Sequence, residues 1–185
     1  MQPWPELLRE LSNKLFDEAD ESQLEILGER DPDRLQSRWL GFPGASPATI
    51  AARERKLQIT LPDDYRAFLL ASNGFLPLAG LPHGLCSLLP VEEIDWFRIT
   101  DRETGRLENY LDERAAGATL PEEFMVDPDD YARTLLIGES DGNECILLLP
   151  PGPNNAAWEL WTYHPEEGFL TGGTFTELME SALEC

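Results

Sequence analysis

Leu61-Pro62-Asp63-Asp64-Tyr65-Arg66-Ala67-Phe68-Leu69, closed by Asn73-Gly74, is the stretch from which the rest of the chain can be laid out. Proline is at home in the first turn of a helix, where its missing N–H has no partner to lose. Asp63 and Asp64 then fall at the positive end of the helix dipole. Tyr65, Phe68, Leu69 and Ser72 share one face at helical spacing, so this face is expected to turn inward. Asn73-Gly74 is expected to end the helix in a left-handed cap.

Upstream, the same logic repeats. Ser46-Pro47 reads as a cap followed by a first-turn proline, opening a helix with Ile50, Arg53, Glu54 and Leu57 on one pattern. Asp31-Pro32 opens a short helix expected to carry Leu35, Trp39 and Leu40, and Gly41-Phe42-Pro43-Gly44 breaks it. At the N-terminus Leu7, Leu8, Leu11 and Leu15 recur at helical spacing behind Pro5. The acidic stretch from Asp17 to Glu25 contains the turn to a second helix.

Downstream, residues 75–90 are rich in Pro and Gly, with a candidate strand at Leu85–Leu89. Val91–Phe97 and Gly105–Ala115 read as helices and Pro121–Asp130 as an acidic loop. Thr134–Ile137 and Cys145–Leu149 are apolar runs on either side of Ser140-Asp141-Gly142-Asn143, the composition of a hairpin turn. Trp158–Tyr163 alternates as a strand does, with Trp158, Leu160 and Thr162 on one face and Glu159, Trp161 and Tyr163 on the other. Thr174 and Glu177 have the spacing of a capping box, ahead of the stripe Phe175, Leu178, Met179, Ala182 and Leu183. Helices first, hairpins later and a closing helix predict an α+β fold. In it a mainly antiparallel sheet is expected from the hairpins, with the helices N-terminal to it and one closing helix. The expected division is a helical extension over 1–38, packed on an α+β domain over 39–185.

The chain has 185 residues, with 35 acids against 14 Lys and Arg, for a formal charge of −21. Such a chain repels the phosphates that a nucleic-acid reader must neutralise, and anionic membranes likewise. With 42% hydrophobic residues, it has the composition of a folded domain. Residues 46–87 are nearly neutral, with 3 acids and 4 bases, whereas residues 134–185 carry 9 acids and no Lys or Arg. The start, Met1-Gln2-Pro3-Trp4-Pro5-Glu6, has no basic or apolar region of a signal peptide. Three cysteines, Cys86, Cys145 and Cys185, form no short-spaced framework. A cytoplasmic protein with reduced thiols is expected.

Catalytic patterns are not found. The two histidines, His83 and His164, stand in turn-like contexts, and His164 with Glu166 and Glu167 across Pro165 matches no metal-ligand spacing. Asp127-Pro128-Asp129-Asp130 lacks the glycine of a calcium loop. No basic residue adjoins a cysteine to activate it. No phosphate loop occurs, since no Lys follows Gly172-Gly173. The expectation is a non-enzyme with no metal and no cofactor.

The ordered set Ile50, Glu54, Leu57, Leu61-Pro62, Tyr65, Phe68-Leu69 and Asn73-Gly74 resembles the N-terminal signature of the SUKH superfamily, the Smi/Knr-like proteins. Trp39-Leu40-Gly41-Phe42-Pro43-Gly44-Ala45 is similar to the lead-in of many bacterial members. Leu136-Ile137-Gly138 with Asp141-Gly142, then Trp158, then Thr174-Phe175 is similar to the later landmarks. The resemblance runs from about residue 39 to 183. It departs in Thr174, where Ser is usual, in the lengthened Pro150–Asn155 connection, and over 100–130, which no quoted pattern matches. The resemblance implies helices on a sheet without catalytic residues. It also implies either an immunity role, binding a cognate toxin that is often a nuclease or nucleic-acid deaminase, or an intracellular scaffold. The signature residues Trp39, Leu61, Pro62, Tyr65, Phe68, Asn73, Gly74, Trp158 and Phe175 are structural on this reading. The expected partner is a basic toxin domain encoded by an adjacent gene, with no nucleic acid and no membrane. Its contact surface is expected at the acids near the sheet turns, Asp141, Glu144, Glu166 and Glu167, with Trp161 as an aromatic anchor.

Overall fold

The computed structural model describes residues 3–76, 86–100, 105, 109–110, 112, 117, 125–140 and 144–184. In chain order the elements are α1 (Trp4–Glu18), α2 (Glu21–Arg30), α3 (Pro32–Ser37), α4 (Pro47–Leu57), α5 (Asp63–Ala71), β1 (Ser87–Leu88), β2 (Asp95–Trp96), α6 (Phe97–Thr100), α7 (Pro128–Ala132), β3 (Leu135–Glu139), β4 (Cys145–Leu149), β5 (Glu159–His164), β6 (Gly168–Thr171) and α8 (Phe175–Glu184). The chain is α+β and forms two compact units, Met1–Glu92 with Phe175–Cys185, and Glu93–Thr174.

In the first unit α1, α5 and α8 meet around four aromatic rings. Trp4 lies 5.7 Å from Phe68 and 5.6 Å from Phe175, and Tyr65 meets Phe175 edge-on at 4.8 Å. The two edge-on pairs, Trp4–Phe68 and Tyr65–Phe175, add about 0.5–1.5 kcal/mol each beyond the area they bury. Leu7, Leu8, Leu11 and Leu15, the expected apolar stripe of α1, are all buried. Lys14 Nζ donates to the carbonyls of Ala182 and Leu183, supplying a cation and hydrogen bonds at the C-terminal end of α8.

Among the described residues, side-chain caps explain where several helices begin. Ser46 Oγ accepts the Thr49 N–H at the start of α4, and Asp31 Oδ1 accepts the Arg34 N–H at the start of α3. At α2 the Asp20 carboxylate and Gln23 amide cap reciprocally, each accepting the other's backbone N–H at 2.9 Å. These contacts hold the Asp20 carboxyl below its ordinary value, first through the Gln23 N–H and then through the Ser22 hydroxyl.

Two helix ends differ from expectation. The expected helix through Trp39 and Leu40 stops at Ser37, because Arg38 turns left-handed at φ 49°. The Arg34 guanidinium then binds the Gly41 carbonyl at 2.9 Å. The α5 helix ends at Ser72 in extended backbone (φ −150°, ψ 121°), so Asn73-Gly74 is not its left-handed cap. Gly74 still needs its positive φ of 101°, and a Cβ there would stand 2.8 Å from the Leu88 carbonyl oxygen. Phe75 can thereby exchange both backbone hydrogen bonds with Leu88 of β1. The strand expected at Leu85–Leu89 is realised as that short β1.

The second unit is built on β2–β6, paired antiparallel throughout. The expected hairpin forms between β3 and β4 with Leu135 opposite Leu148 and Glu139 opposite Cys145, and every residue of β4 is buried. β4 continues to β5 with Cys145 opposite Tyr163 and Leu149 opposite Glu159.

Two expectations here are corrected. Val91–Phe97 is not a helix, since Asp95 and Trp96 pair with Leu136 and Leu135 as β2. Val91, Ile94 and Phe97 are all fully buried, and their spacing of three mimics one face of a helix. The acidic loop expected at Pro121–Asp130 contains the start of α7, where Asp127 Oδ1 accepts the N–H groups of Asp129 and Asp130. Most of the helix expected at Gly105–Ala115 lies outside the described residues, as do Pro121–Phe124; Asn109, Tyr110 and Asp112 are helical.

Candidate functional site

Several of the signature residues are buried or hydrogen-bonded to backbone. Leu61, Tyr65, Phe68 and Phe175 are at most 1% exposed. Pro62 occupies the position just before α5. Asn73 ties the backbone beyond α5, its Oδ1 accepting the Val91 N–H at 2.8 Å and its Nδ2 donating to Glu92 Oε2. Glu54 Oε1 accepts the Leu61 N–H at 2.9 Å and meets Arg66 Nε at 3.4 Å, so the helix glutamate holds the entry to α5. Trp158 is half-buried just before β5. Trp39, also half-buried, lies under the Arg9 guanidinium at 4.5 Å and lines a groove of about 640 Å³ with Glu6, Asn13 and Ala71.

The polar cluster of interest forms where the β3–β4 and β5–β6 connections reach the same end of the sheet, because antiparallel pairing sets Cys145 opposite Tyr163. Glu144 Oε1 meets His164 Nε2 at 3.2 Å. Glu144 Oε2 accepts the Ser140 hydroxyl at 2.8 Å. The Glu166 backbone N–H donates to His164 Nδ1 at 3.2 Å. A ring nitrogen that accepts cannot also carry a proton, so in this arrangement the His164 proton sits on Nε2, facing Glu144. His164 therefore links the two turns, a role the turn-histidine reading missed and that its place between Tyr163 and Pro165 only hinted at.

Of the acids expected at this surface, Glu144 and Glu166 are brought together through His164, and Glu166 and Glu167 are exposed. Asp141 lies outside the described residues. Trp161 is corrected as an anchor. It is 4% exposed, its ring packs edge-on against Phe169 and its Nε1 donates to Glu159 Oε2. Both Leu160 and Trp161 are buried, so the two faces of β5 are covered and alternation did not identify a wet side.

Among the described residues no group of three His, Cys, Asp or Glu side chains is placed to hold a metal ion. Cys86 and Cys145 are thiols, each 1% exposed. Among the described residues no helix is long and apolar enough to cross a membrane.

The family model that matches is SMI1 / KNR4 family (SUKH-1), over residues 44–181. No curated protein matches the chain. The matched span takes in the α4–α5 signature, the sheet and most of α8, the same elements whose contacts are described above. The chain belongs to the SMI1 / KNR4 family, SUKH-1.

Proposed function

We propose that this chain is an immunity-type protein, which binds and neutralises a cognate toxin by covering its active site and performs no chemistry itself. The toxin is a basic nuclease or nucleic-acid deaminase, encoded next to it. Family membership supports the class of function, because SUKH proteins resemble immunity proteins in many bacterial members. One observation carries the choice of surface: residues 134–185 carry 9 acids and no Lys or Arg, and Glu144, Glu166 and Glu167 gather at one end of the sheet this segment builds. A formal charge of −21 exceeds the magnitude of about 2–8 that suffices for solubility in a small domain. Excess charge of one sign repels itself in the compact state, and it steers partners of opposite sign. An enzyme that holds phosphate presents a basic groove, which this surface complements.

The test is co-expression with the product of the adjacent gene. The proposal expects a complex that co-purifies and a toxin that loses activity in it. Unbound proteins, or a complex in which the toxin stays fully active, would overturn it.

A further inference from the structure

We infer that β6 is the docking edge of this surface, and that it accepts an extended segment carrying Lys or Arg as one more antiparallel strand. The inference rests on the proposed toxin-binding reading for the charge of the partner, and on the geometry of β6 for the mode of binding. β5 pairs with β6 through Trp161–Thr171, Thr162–Leu170, Tyr163–Phe169 and His164–Gly168. No described strand pairs with the other side of β6.

The hydrogen-bond phase follows from the end of the ladder. The Gly172 N–H donates to the Leu160 carbonyl at 2.9 Å, and the Leu160 N–H donates to the Gly173 carbonyl at 3.2 Å. Two residues facing one, with Gly172 at φ 105°, is a glycine bulge. Stepping back by twos along the antiparallel ladder makes Thr162–Leu170 and His164–Gly168 the hydrogen-bonded pairs. The N–H and C=O groups of Phe169 and Thr171 consequently point away from β5, which is the hydrogen-bonding pattern an added strand requires.

Side chains and charge select the occupant. Leu170 is 77% exposed, the most exposed large apolar residue described, while Phe169 faces Tyr131 and Trp161 on the opposite side. An incoming strand would therefore set an apolar residue beside Leu170. Exposed Glu166 and Glu167 lead directly into β6. A second copy of a chain at −21 is repelled at such an edge, and a basic segment is attracted. Bare edges are normally guarded by charge against self-pairing; here the guard is acidic and the strand itself carries none, so selection is by sign.

The experiment uses the full chain, labelled for amide hydrogen exchange, with short synthetic peptides alternating Lys and Val or Glu and Val. The Lys peptide is expected to slow exchange at Phe169 and Thr171 by about tenfold or more, as cross-strand pairing does, and the Glu peptide to leave them unchanged. Leu170→Lys and Thr171→Pro should each abolish the slowing. Retained protection at Gly168 and at position 170 in those variants reports that the β5–β6 ladder is intact. The inference is overturned if Phe169 and Thr171 are already protected in the chain alone, if the Lys peptide does nothing, or if both peptides act alike. The adjacent gene product separates this from the parent reading. Binding that is unchanged in both edge variants removes the edge and keeps the immunity role. Peptide protection with no binding of that product keeps the edge and removes the role.

Discussion

Thr176 in α8 donates both its backbone N–H and its hydroxyl to Asp64 Oδ2 in α5, at 3.1 and 3.3 Å across 112 residues of sequence. Asp64 Oδ1 meanwhile accepts the N–H of Tyr65 at 2.8 Å. One carboxylate thus serves the first turns of two helices, satisfying donors that helix geometry leaves unpaired and placing negative charge at both positive ends.

Replacing Asp64 with Ala should cost about 1–2 kcal/mol of stability, in the range of lost helix caps, and Asp64→Asn should cost less because an acceptor remains. Urea unfolding of the two variants checks this. An unchanged midpoint for Asp64→Ala would remove the shared cap from the account.

Glu54 offers a parallel case within the signature. Its side chain is mostly buried, and it accepts the Leu61 N–H while meeting a more exposed Arg66. Glu54→Ala should therefore cost about 1–3 kcal/mol for the unsatisfied amide. Arg66→Ala should cost less than about 1 kcal/mol, since exposed ion pairs contribute little. Equal losses in thermal unfolding would contradict this ordering.

Tyr65 behaves in the opposite sense. Its hydroxyl is buried and has no hydrogen-bond partner among the described residues, and burial drives its ionisation far above the usual range. Removing an unpaired polar atom relieves a desolvation penalty, so Tyr65→Phe should be neutral or stabilising by up to about 1 kcal/mol. Tyr65→Ala should lose about 3–5 kcal/mol through the cavity left among Trp4, Phe68 and Phe175. A Phe variant that unfolds as readily as the Ala variant would show that the hydroxyl has a role the contacts do not reveal.

Arg133 closes the long connection between β4 and β5. Its Nε donates to Asp130 at 2.8 Å and its two terminal nitrogens reach the Pro150 carbonyl and Asn155 Oδ1. Asn154 returns to Asp130 Oδ2 at 3.0 Å, and Asn155 binds the Ala157 carbonyl at 2.7 Å. Asp130 is 6% exposed, so Arg133→Met strands a buried carboxylate and should cost about 3–5 kcal/mol. Arg133→Lys cannot reproduce the planar fork and should restore only part of the loss. Limited proteolysis within 150–157 should accelerate in both, and unchanged cleavage would refute the network's role.

What could be read from residues alone followed how local the physics is. Ser46-Pro47, the leucines of α1 and the aromatic face of α5 act through neighbours a turn away, and their spacing announces them. Asp127-Pro128 and Asp20 with Gln23 carry the same kinds of signal and went unread, the first submerged in a charge run and the second in an acidic stretch. β2 was illegible because Val91, Ile94 and Phe97 share a helix-like interval while the pairing partners, Leu135 and Leu136, lie some 40 residues on. Trp161 misled because strand alternation predicts a wet face only when one face of the sheet is open. The Glu144–His164 contact depends on the register of β4 against β5, which no run of residues specifies by itself.

The salt dependence of association with the adjacent gene's product tests the central claim most directly. Acidic steering predicts that the association rate falls about tenfold or more between low salt and roughly 0.5 M, as screening shortens the reach of the charges. The triple reversal Glu144→Lys, Glu166→Lys and Glu167→Lys should flatten that dependence while the chain stays folded. An association rate that is constant across salt in the unaltered chain would contradict the account.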